Sequence, residues 1–317
     1  MNIPKKIKIR LGKEYRKFFA NSIRRKETPE FPERVCIQTV SYCNSGCVFC
    51  PHPSLRKKLP QGKMEEKLFC RIIDECSEYK IKHFSPFLMN EPLMDPEIFK
   101  RTEYIRKKIP GAKISLNTNA SLLDRVKAEK LVHSEIDSLS INIQGTEPED
   151  FSRLMRYLDY EKTMENIKRF MAMAPPFKVD VNVMAFNSVK DRIDQSCNFW
   201  EELGIVPSVN EPYDCAGNIT SPEIKTTPRK EGMIKGCWNT DSPFYFERPI
   251  KWLHILFNGD VVICCLDWKR NTIAGNAEKT SIKEIWHNKK FNAYRDMVYG
   301  KKDAPPDFLC RKCAFAL

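Results

Sequence analysis

Residues 34–39, Arg-Val-Cys-Ile-Gln-Thr, form a β-type run that leads after three residues into Cys43-Asn44-Ser45-Gly46-Cys47-Val48-Phe49-Cys50. The spacing sets three sulfurs on one loop just past a strand. The β-type pattern returns at 82–88, 113–117, 138–143, 178–184 and 205–210, which makes six strands. Amphipathic helical segments separate them: 64–79 carries Leu68, Phe69, Ile72, Ile73 and Cys76 on one side, 95–109 opens on Asp95 as N-cap with Pro96 in the first turn, and a further helical run covers 160–171. Such βα alternation calls for parallel strands, outer helices and right-handed crossovers. The expected fold class is α/β, a partial (β/α)6 barrel over 34–212 whose site is built from the loops that follow the strands.

Beyond residue 212 the pattern changes. The run 252–257, then Asn258-Gly259, then 260–266 predicts an antiparallel hairpin with a type I′ turn, in which both central residues take positive φ. A helix is expected over 281–299, and the chain closes on Cys310-Arg311-Lys312-Cys313. This predicts a smaller β-hairpin/helix domain at 213–317. At the other end, residues 1–33 hold ten Lys or Arg against four Glu, a basic arm. Leu11, Tyr15, Phe18 and Phe19 recur there at helical spacing, so 10–26 reads as an amphipathic helix docked through its aromatic stripe. Contact with nucleic acid or an acidic membrane is the weaker reading of that arm, because net charge alone carries no specificity.

With 317 residues the chain is long enough for two domains and a real core. No stretch approaches the roughly 20 apolar residues that span a bilayer, and lysines interrupt every candidate signal-peptide core near the start. A cytoplasmic location follows as an expectation. In a reducing compartment 13 cysteines are thiols or metal ligands, not disulfides, so their spacing carries the function. Cys36, Cys70, Cys76 and Cys197 fall in expected strands or helices and read as buried small hydrophobes.

Cys43, Cys47 and Cys50 can wrap a small metal centre, with Asn44, Ser45 and Gly46 permitting the turn. Three ligands leave a tetrahedral centre one short, so an iron–sulfur cube held this way keeps one iron open to an exogenous ligand. From spacing alone a structural zinc site that borrows His52, or three buried thiols, remains the competing reading.

A CxxxCxxC after strand one, with Phe49 just before its third cysteine, resembles the radical S-adenosylmethionine superfamily. The resemblance implies a [4Fe-4S] cluster on Cys43, Cys47 and Cys50, S-adenosylmethionine chelated to the open iron, and reductive cleavage to a 5′-deoxyadenosyl radical that abstracts a substrate hydrogen. It also implies Phe49 near the adenine and, in Met89-Asn90-Glu91-Pro92, a variant of the family's Gly-Gly-Glu-Pro in which Glu91 keeps the carboxylate that receives the methionyl ammonium. Asn117-Thr118-Asn119 resembles the family's Thr-Asn-Gly turn with Ala120 in place of glycine, which makes Asn119 a cofactor-side residue. Asn142 matches a ribose-binding position, Gln144 would then face the substrate side, and Arg156 resembles an arginine for the cofactor carboxylate or substrate.

A second constellation is Cys237, the pair Cys264-Cys265, and Cys310-x2-Cys313. Adjacent residues of a regular strand point to opposite faces, so Cys264 and Cys265 are not expected to ligate together. Spacing does not separate zinc from an iron–sulfur cluster here. The Gly259-x4-Cys264 hairpin, Gly275-Asn276, a helix and the terminal CxxC resemble the SPASM auxiliary-cluster region in its shortened, one-cluster twitch form. That implies a second, auxiliary [4Fe-4S] cluster on Cys237, Cys264, Cys310 and Cys313. Cys265, or Cys215 in the loop after strand six, is then free to give a hydrogen atom to a substrate radical. Relatives with one fully ligated auxiliary cluster include aminocyclitol dehydrogenases and sugar epimerases, which implies a radical oxidoreductase or epimerase for a small hydroxylated molecule, fed by a flavodoxin or ferredoxin. A radical peptide-modifying maturase is the rival within the family, weakened by the 42 residues that precede Cys43. The rival from another class is a non-catalytic iron–sulfur or zinc protein that binds nucleic acid through the basic arm.

Overall fold

The computed structural model describes residues 27–237 and 248–317. Six parallel strands, β1 Arg34–Ile37, β2 His83–Ser85, β3 Lys113–Thr118, β4 Ser138–Ile141, β5 Lys178–Met184 and β6 Val206–Asn210, stand side by side in chain order. Helices Glu66–Ser77 (α1), Ile98–Lys108 (α2), Arg125–Val132 (α3), Pro148–Leu154 (α4), Tyr160–Ala172 (α5) and Ile193–Glu202 (α6) alternate with them. Leu68, Phe69, Ile72, Ile73 and Cys76 are the buried face of α1, as its periodicity requires. Burying side chains of that size contributes about 1.5–3 kcal/mol each against the unfolded chain.

The sheet does not close. On the free side of β1 the chain adds β7 Trp252–Ile255 in parallel, then β8 Asp260–Val262 and β9 Ile273–Asn276 antiparallel, giving the order β6-β5-β4-β3-β2-β1-β7-β8-β9. The C-terminal hairpin is thus the continuation of the barrel sheet, lying beside the strand whose loop carries the first three cysteines. Helices Ile282–His287 (α7) and Lys289–Val298 (α8) cover that extension.

Several local expectations fail for physical reasons. The turn at Asn258-Gly259 is not type I′: only Gly259 takes positive φ (83°), and its N–H bonds to the Leu256 carbonyl at 2.9 Å, a three-residue loop with a left-handed glycine. The expected helix 281–299 breaks at Asn288 (ψ 162°), whose side chain accepts from Phe291 N and caps α8. Asp95 does not cap α2, which starts at Ile98. Its carboxylate instead accepts from Glu97 N and pairs with Arg101 at 3.0 Å, both side chains being fully buried. Cys70 is only half-buried, 4.0 Å from the Glu66 carboxylate on the flank of α1. Strand β8 stops at Val262, so Cys264 and Cys265 lie in the turn beyond it and the alternation that set them on opposite faces does not apply. The expected arm helix at 10–26 lies outside the described residues.

Candidate active site

The cysteine loop is clamped from three directions. Gly46 N–H donates to the Arg156 carbonyl at 2.7 Å, just beyond α4, and Val48 N–H to that of Leu154, the last residue of α4, at 3.1 Å. Asn44 donates to Ser121 Oγ at 2.8 Å and accepts from Asn119 Nδ2 at 3.0 Å, which ties the loop to the end of β3. Gly46 is sterically required, because a Cβ there would run into the Tyr157 ring. So held, Cys43, Cys47 and Cys50 line an open cavity of about 210 Å³ together with Phe49, Glu91, Asn119 and Asn142. Seven residues expected to act together are therefore brought to one cavity by four different strand-end loops.

Among the described residues Glu91 is the one carboxylate that lines the cavity, and it is buried. It accepts from Thr118 Oγ1 at 2.6 Å, Asn119 N at 2.8 Å and Leu93 N at 3.1 Å. Burial raises its pKa to about 7, against the pull of those donors. Met89, Asn90 and Ala120 stand where the resembled motifs have glycine, and two of these three positions take the left-handed backbone that glycine favours. Met89 sits at φ 58° and Ala120 at φ 59°, both in the left-handed region. Asn90 Oδ1 accepts from Leu88 N at 2.7 Å and supports the first of these turns.

Two expected residues lie elsewhere. The Arg156 side chain is exposed and does not line the cavity, its carbonyl being what holds the loop. Gln144 does not await a substrate: it is buried, donating to the Asn182 carbonyl at 2.5 Å and accepting from Met184 N at 2.9 Å, so it pins β5 to β4. Conversely, Trp268 lines the cavity from the loop between β8 and β9, and no motif marked it. Only its place three residues past Cys265 could have drawn notice.

The second set of cysteines gathers by itself, Cys237 interacting with Cys313, Cys264 with Cys237, and Cys310 with both Cys313 and Cys237. Cys237 bridges to Ala316, and Cys237, Cys264, Cys310 and Cys313 are all buried. Arg248, also buried, donates through Nη1 to Cys265 Sγ at 3.4 Å and reaches Cys264 Sγ at 4.0 Å, so both sulfurs face one guanidinium. Cys215 stands between the two sets, close enough to interact with Cys50 on one side and with Cys265 and Cys313 on the other. It begins a left-handed turn, with φ of 48°, 59° and 75° at Cys215, Ala216 and Gly217. Non-glycine residues in that region carry strain, which the Asp214 carbonyl offsets by accepting from Asn218 N at 2.9 Å.

Burial pushes the Cys43 thiol up to about 12, Cys47 to about 11 and Cys237 to about 12, and raises Cys50, Cys310 and Cys313 as well. A hydrogen bond from Cys264 and then the Arg248 guanidinium hold Cys265 below the usual thiol range, against its burial, while the same bond and burial push Cys264 up. Thiols so buried become thiolates when a metal displaces the proton. Among the described residues no three ligating groups converge on a point that would hold a single metal ion. The wider gathering of thiols at each site, with Asn90 Nδ2 and His52 Nδ1 buried and unbonded at the first, fits a polynuclear centre and a polar ligand.

An open parallel α/β sheet, three cysteines on the loop after its first strand and a second, buried cysteine set define an iron–sulfur protein of the radical S-adenosylmethionine class. The chain belongs to the radical SAM superfamily, whose model matches residues 37–197, and the SPASM iron–sulfur cluster-binding domain matches 247–314. These domains carry S-adenosylmethionine and [4Fe-4S] clusters. In sequence the chain is 20% identical over 289 residues to the S-adenosyl-L-methionine-dependent 2-deoxy-scyllo-inosamine dehydrogenase of Niallia circulans, covering 87% of this chain and 90% of that one. It is 26% identical over 179 residues, 55% of its length, to the AdoMet-dependent heme synthase of Methanosarcina barkeri, and there it spans about half the relative, 49%. Among solved structures, BtrN in complex with AdoMet and 2-DOIA aligns at TM-score 0.58 and 19% identity, covering 91% of this chain and 94% of BtrN. Streptococcus suis SuiB bound to the precursor peptide SuiA aligns at TM-score 0.68 and 18% identity, covering 99% and 75%. At these identities the structures establish the fold. No helix among the described residues is long and apolar enough to cross a membrane.

Proposed function

We propose that this protein abstracts hydrogen from a carbon of a small hydroxylated molecule, sugar-like or aminocyclitol-like, and so oxidises or epimerises it. The observation that carries this reading is the cavity lining. Asn90, Asn117, Asn119 and Asn142 offer neutral carboxamides beside Phe49, Phe87 and Trp268, and no lysine or arginine among the described residues lines it. With Phe49, Asn119 and Asn142 given to the cofactor, Asn90, Asn117, Phe87 and Trp268 remain for the substrate, a wall that suits hydroxyl groups and ring faces more than anions. The end-to-end match with the Niallia dehydrogenase supports it.

In this reading Cys43, Cys47 and Cys50 hold the first cluster, Phe49, Glu91, Asn119 and Asn142 contact the cofactor, and Cys237, Cys264, Cys310 and Cys313 hold the auxiliary cluster. Bound at the open iron and reduced, S-adenosylmethionine supplies the 5′-deoxyadenosyl radical. The chain's own residues orient the reactants and exclude water. Glu91 is placed to receive the methionyl ammonium, and its carboxylate is held at fixed geometry by Thr118 and Asn119. Arg156, being exposed, reaches cofactor or substrate only by moving. Cys215 and Cys265 are the candidate hydrogen-atom donors for an epimerase. A flavodoxin or ferredoxin is the expected electron donor, and the cytoplasm the expected location. The alignment with SuiB across 99% of the chain favours peptide modification as the second reading.

Anaerobic reconstitution with iron and sulfide, followed by reduction and assay for 5′-deoxyadenosine, tests the activity. Formation of 5′-deoxyadenosine that rises on addition of a polyol panel and not of peptides is the expected result. No cleavage by a fully loaded protein would refute it. A Cys265→Ala or Cys215→Ala protein that consumes cofactor but loses epimerised product would assign the donor.

A further inference from the structure

Resting on the reading of Cys237, Cys264, Cys310 and Cys313 as an auxiliary iron–sulfur centre, we propose that Arg248 sets that centre's potential. It biases the centre toward accepting an electron and the overall reaction toward oxidation. Arg248 lies in the short helical stretch Arg248–Lys251 that leads into β7 and is 7% exposed. Its guanidinium carbon lies 5.0 Å from the centroid of the Trp252 ring and 5.7 Å from that of Phe315, which itself packs edge-on against Tyr213 at 4.8 Å. Three aromatic rings thus keep water from a group whose Nη1 is 3.4 Å from Cys265 Sγ and 4.0 Å from Cys264 Sγ.

A guanidinium keeps its charge at any accessible pH, and taking it from water costs several kcal/mol unless a negative partner compensates. The shorter N–H···S contact goes to Cys265, and Cys264, 4.0 Å away, links the guanidinium to the thiolate-ligated centre, whose negative charge grows on reduction. The nearby cation therefore stabilises the reduced form more than the oxidised form, and an N–H···S bond acts in the same direction. In a water-poor interior that difference is little screened. At the first cysteine loop no lysine or arginine among the described residues lines the cavity, and Arg56 acts on Cys43 only from outside that lining.

The chemical consequence follows from electron counting. Converting a secondary alcohol carbon to a carbonyl removes one hydrogen as an atom, taken by the 5′-deoxyadenosyl radical, and the other as a hydroxyl proton plus one electron. The proton passes to solvent and the electron to the auxiliary centre. Epimerisation returns a hydrogen atom and needs no such acceptor.

The test is an EPR-monitored redox titration in the Cys43→Ala/Cys47→Ala/Cys50→Ala protein, whose remaining iron is the auxiliary centre. Adding Arg248→Met should lower the reduced-to-oxidised ratio at fixed potential at least tenfold, a downward midpoint shift of about 59 mV for a one-electron couple. Arg248→Lys, which keeps the charge and loses the planar fork, should shift it less than half as far. An unchanged midpoint in Arg248→Met at full iron content overturns the proposal. Should that variant lose its iron, Arg248→Lys and Arg248→Gln carry the same comparison, and equal midpoints in the two overturn it. A triple-alanine protein that takes up no iron refutes the auxiliary centre itself and the proposal with it, so the two failures are told apart.

Discussion

The two cysteine sites of this chain are built on opposite plans. Cys43, Cys47 and Cys50 lie within eight residues, half-buried, on one loop facing an open cavity. Cys237, Cys264, Cys310 and Cys313 come from three distant segments, are all buried, and are approached by the buried Arg248. A site with three clustered ligands and a cavity keeps a coordination position for a reactant, whereas four ligands from separate segments close a centre and staple the segments together. The contrast predicts that one site carries chemistry with little structural role, and that the other carries both.

Removing the first site should have the largest effect. The Cys43→Ala/Cys47→Ala/Cys50→Ala protein should lose cofactor cleavage entirely while keeping about half of its iron and its thermal midpoint, since each [4Fe-4S] centre holds the same amount. Cleavage at the wild-type rate would end the comparison at once. Cys310→Ala/Cys313→Ala should instead leave 5′-deoxyadenosine formation measurable, abolish turnover of the substrate to product and lower the thermal midpoint. A protein as stable as the parent after that change would show that the second site is not a staple.

The two sites also differ in how far sequence alone discloses them. Cys43, Cys47 and Cys50 are legible because their relation is local, and Glu91, Asn119 and Asn142 because each follows a strand of a regular alternation. Trp268 is illegible because it reaches the first site only through the pairing of β7 with β1, Arg34 opposite Trp252 and Val35 opposite Leu253, and Arg248 because it meets Cys264 and Cys265 from across the β7–β8 hairpin, 16 and 17 residues away, which no motif marks. The same limit explains Asp95. Its place before a helix suggests a cap, but tertiary packing brings Arg101 to it and the pair wins. Gln144 fails likewise, since its bonds to β5 depend on a neighbour 38 residues away.

That ion pair gives the next effect in size. Asp95 and Arg101 are both fully buried, their contact is 3.0 Å, and Arg101 also donates to the Met64 carbonyl at 2.7 Å. Asp95→Ala leaves the buried guanidinium with only the half-exposed Glu66 carboxylate, 4.0 Å away, as counter-charge and should cost about 3 kcal/mol. Because the pair supports the wall that carries Glu91, urea unfolding should show this loss with the auxiliary iron intact. A loss below about 1 kcal/mol would mean that the wall does not depend on it.

Glu91 adds a pH signature to the first site. Its pKa is raised to about 7 from the ordinary glutamate value of 4.5, so the folded chain holds a proton there that the unfolded chain gives up. The resulting stability is fully present below the unfolded value and is lost as pH rises through about 7. Glu91→Gln should remove that dependence. Relative to the parent, the metal-free variant should gain on the order of 2–3 kcal/mol in going from pH 4.5 to pH 8. Parallel stability curves for the two proteins over that range would show that folding leaves the carboxylate's affinity for its proton unchanged.

The smallest effect is expected at Ala120, where this chain departs from the glycine of the family's turn while keeping its backbone at φ 59°. Three terms compete. Holding an L-residue in the left-handed region costs about 1–2 kcal/mol, which glycine would relieve. Glycine would lose about 0.5–1 kcal/mol to the greater freedom of the unfolded chain, and about 0.8 kcal/mol from a methyl that is fully buried here. The sum is close to zero, so Ala120→Gly should change stability by less than about 1 kcal/mol and leave cofactor cleavage unaltered, because the carbonyl of residue 120 still accepts from Asn166 Nδ2 at 3.2 Å. Ala120→Val keeps the strain, adds a branched side chain where no space exists, and should cost more than about 2 kcal/mol. A large gain from the glycine variant would mean that the first site stores real strain in its wall, and that the open site is the more tightly constrained of the two.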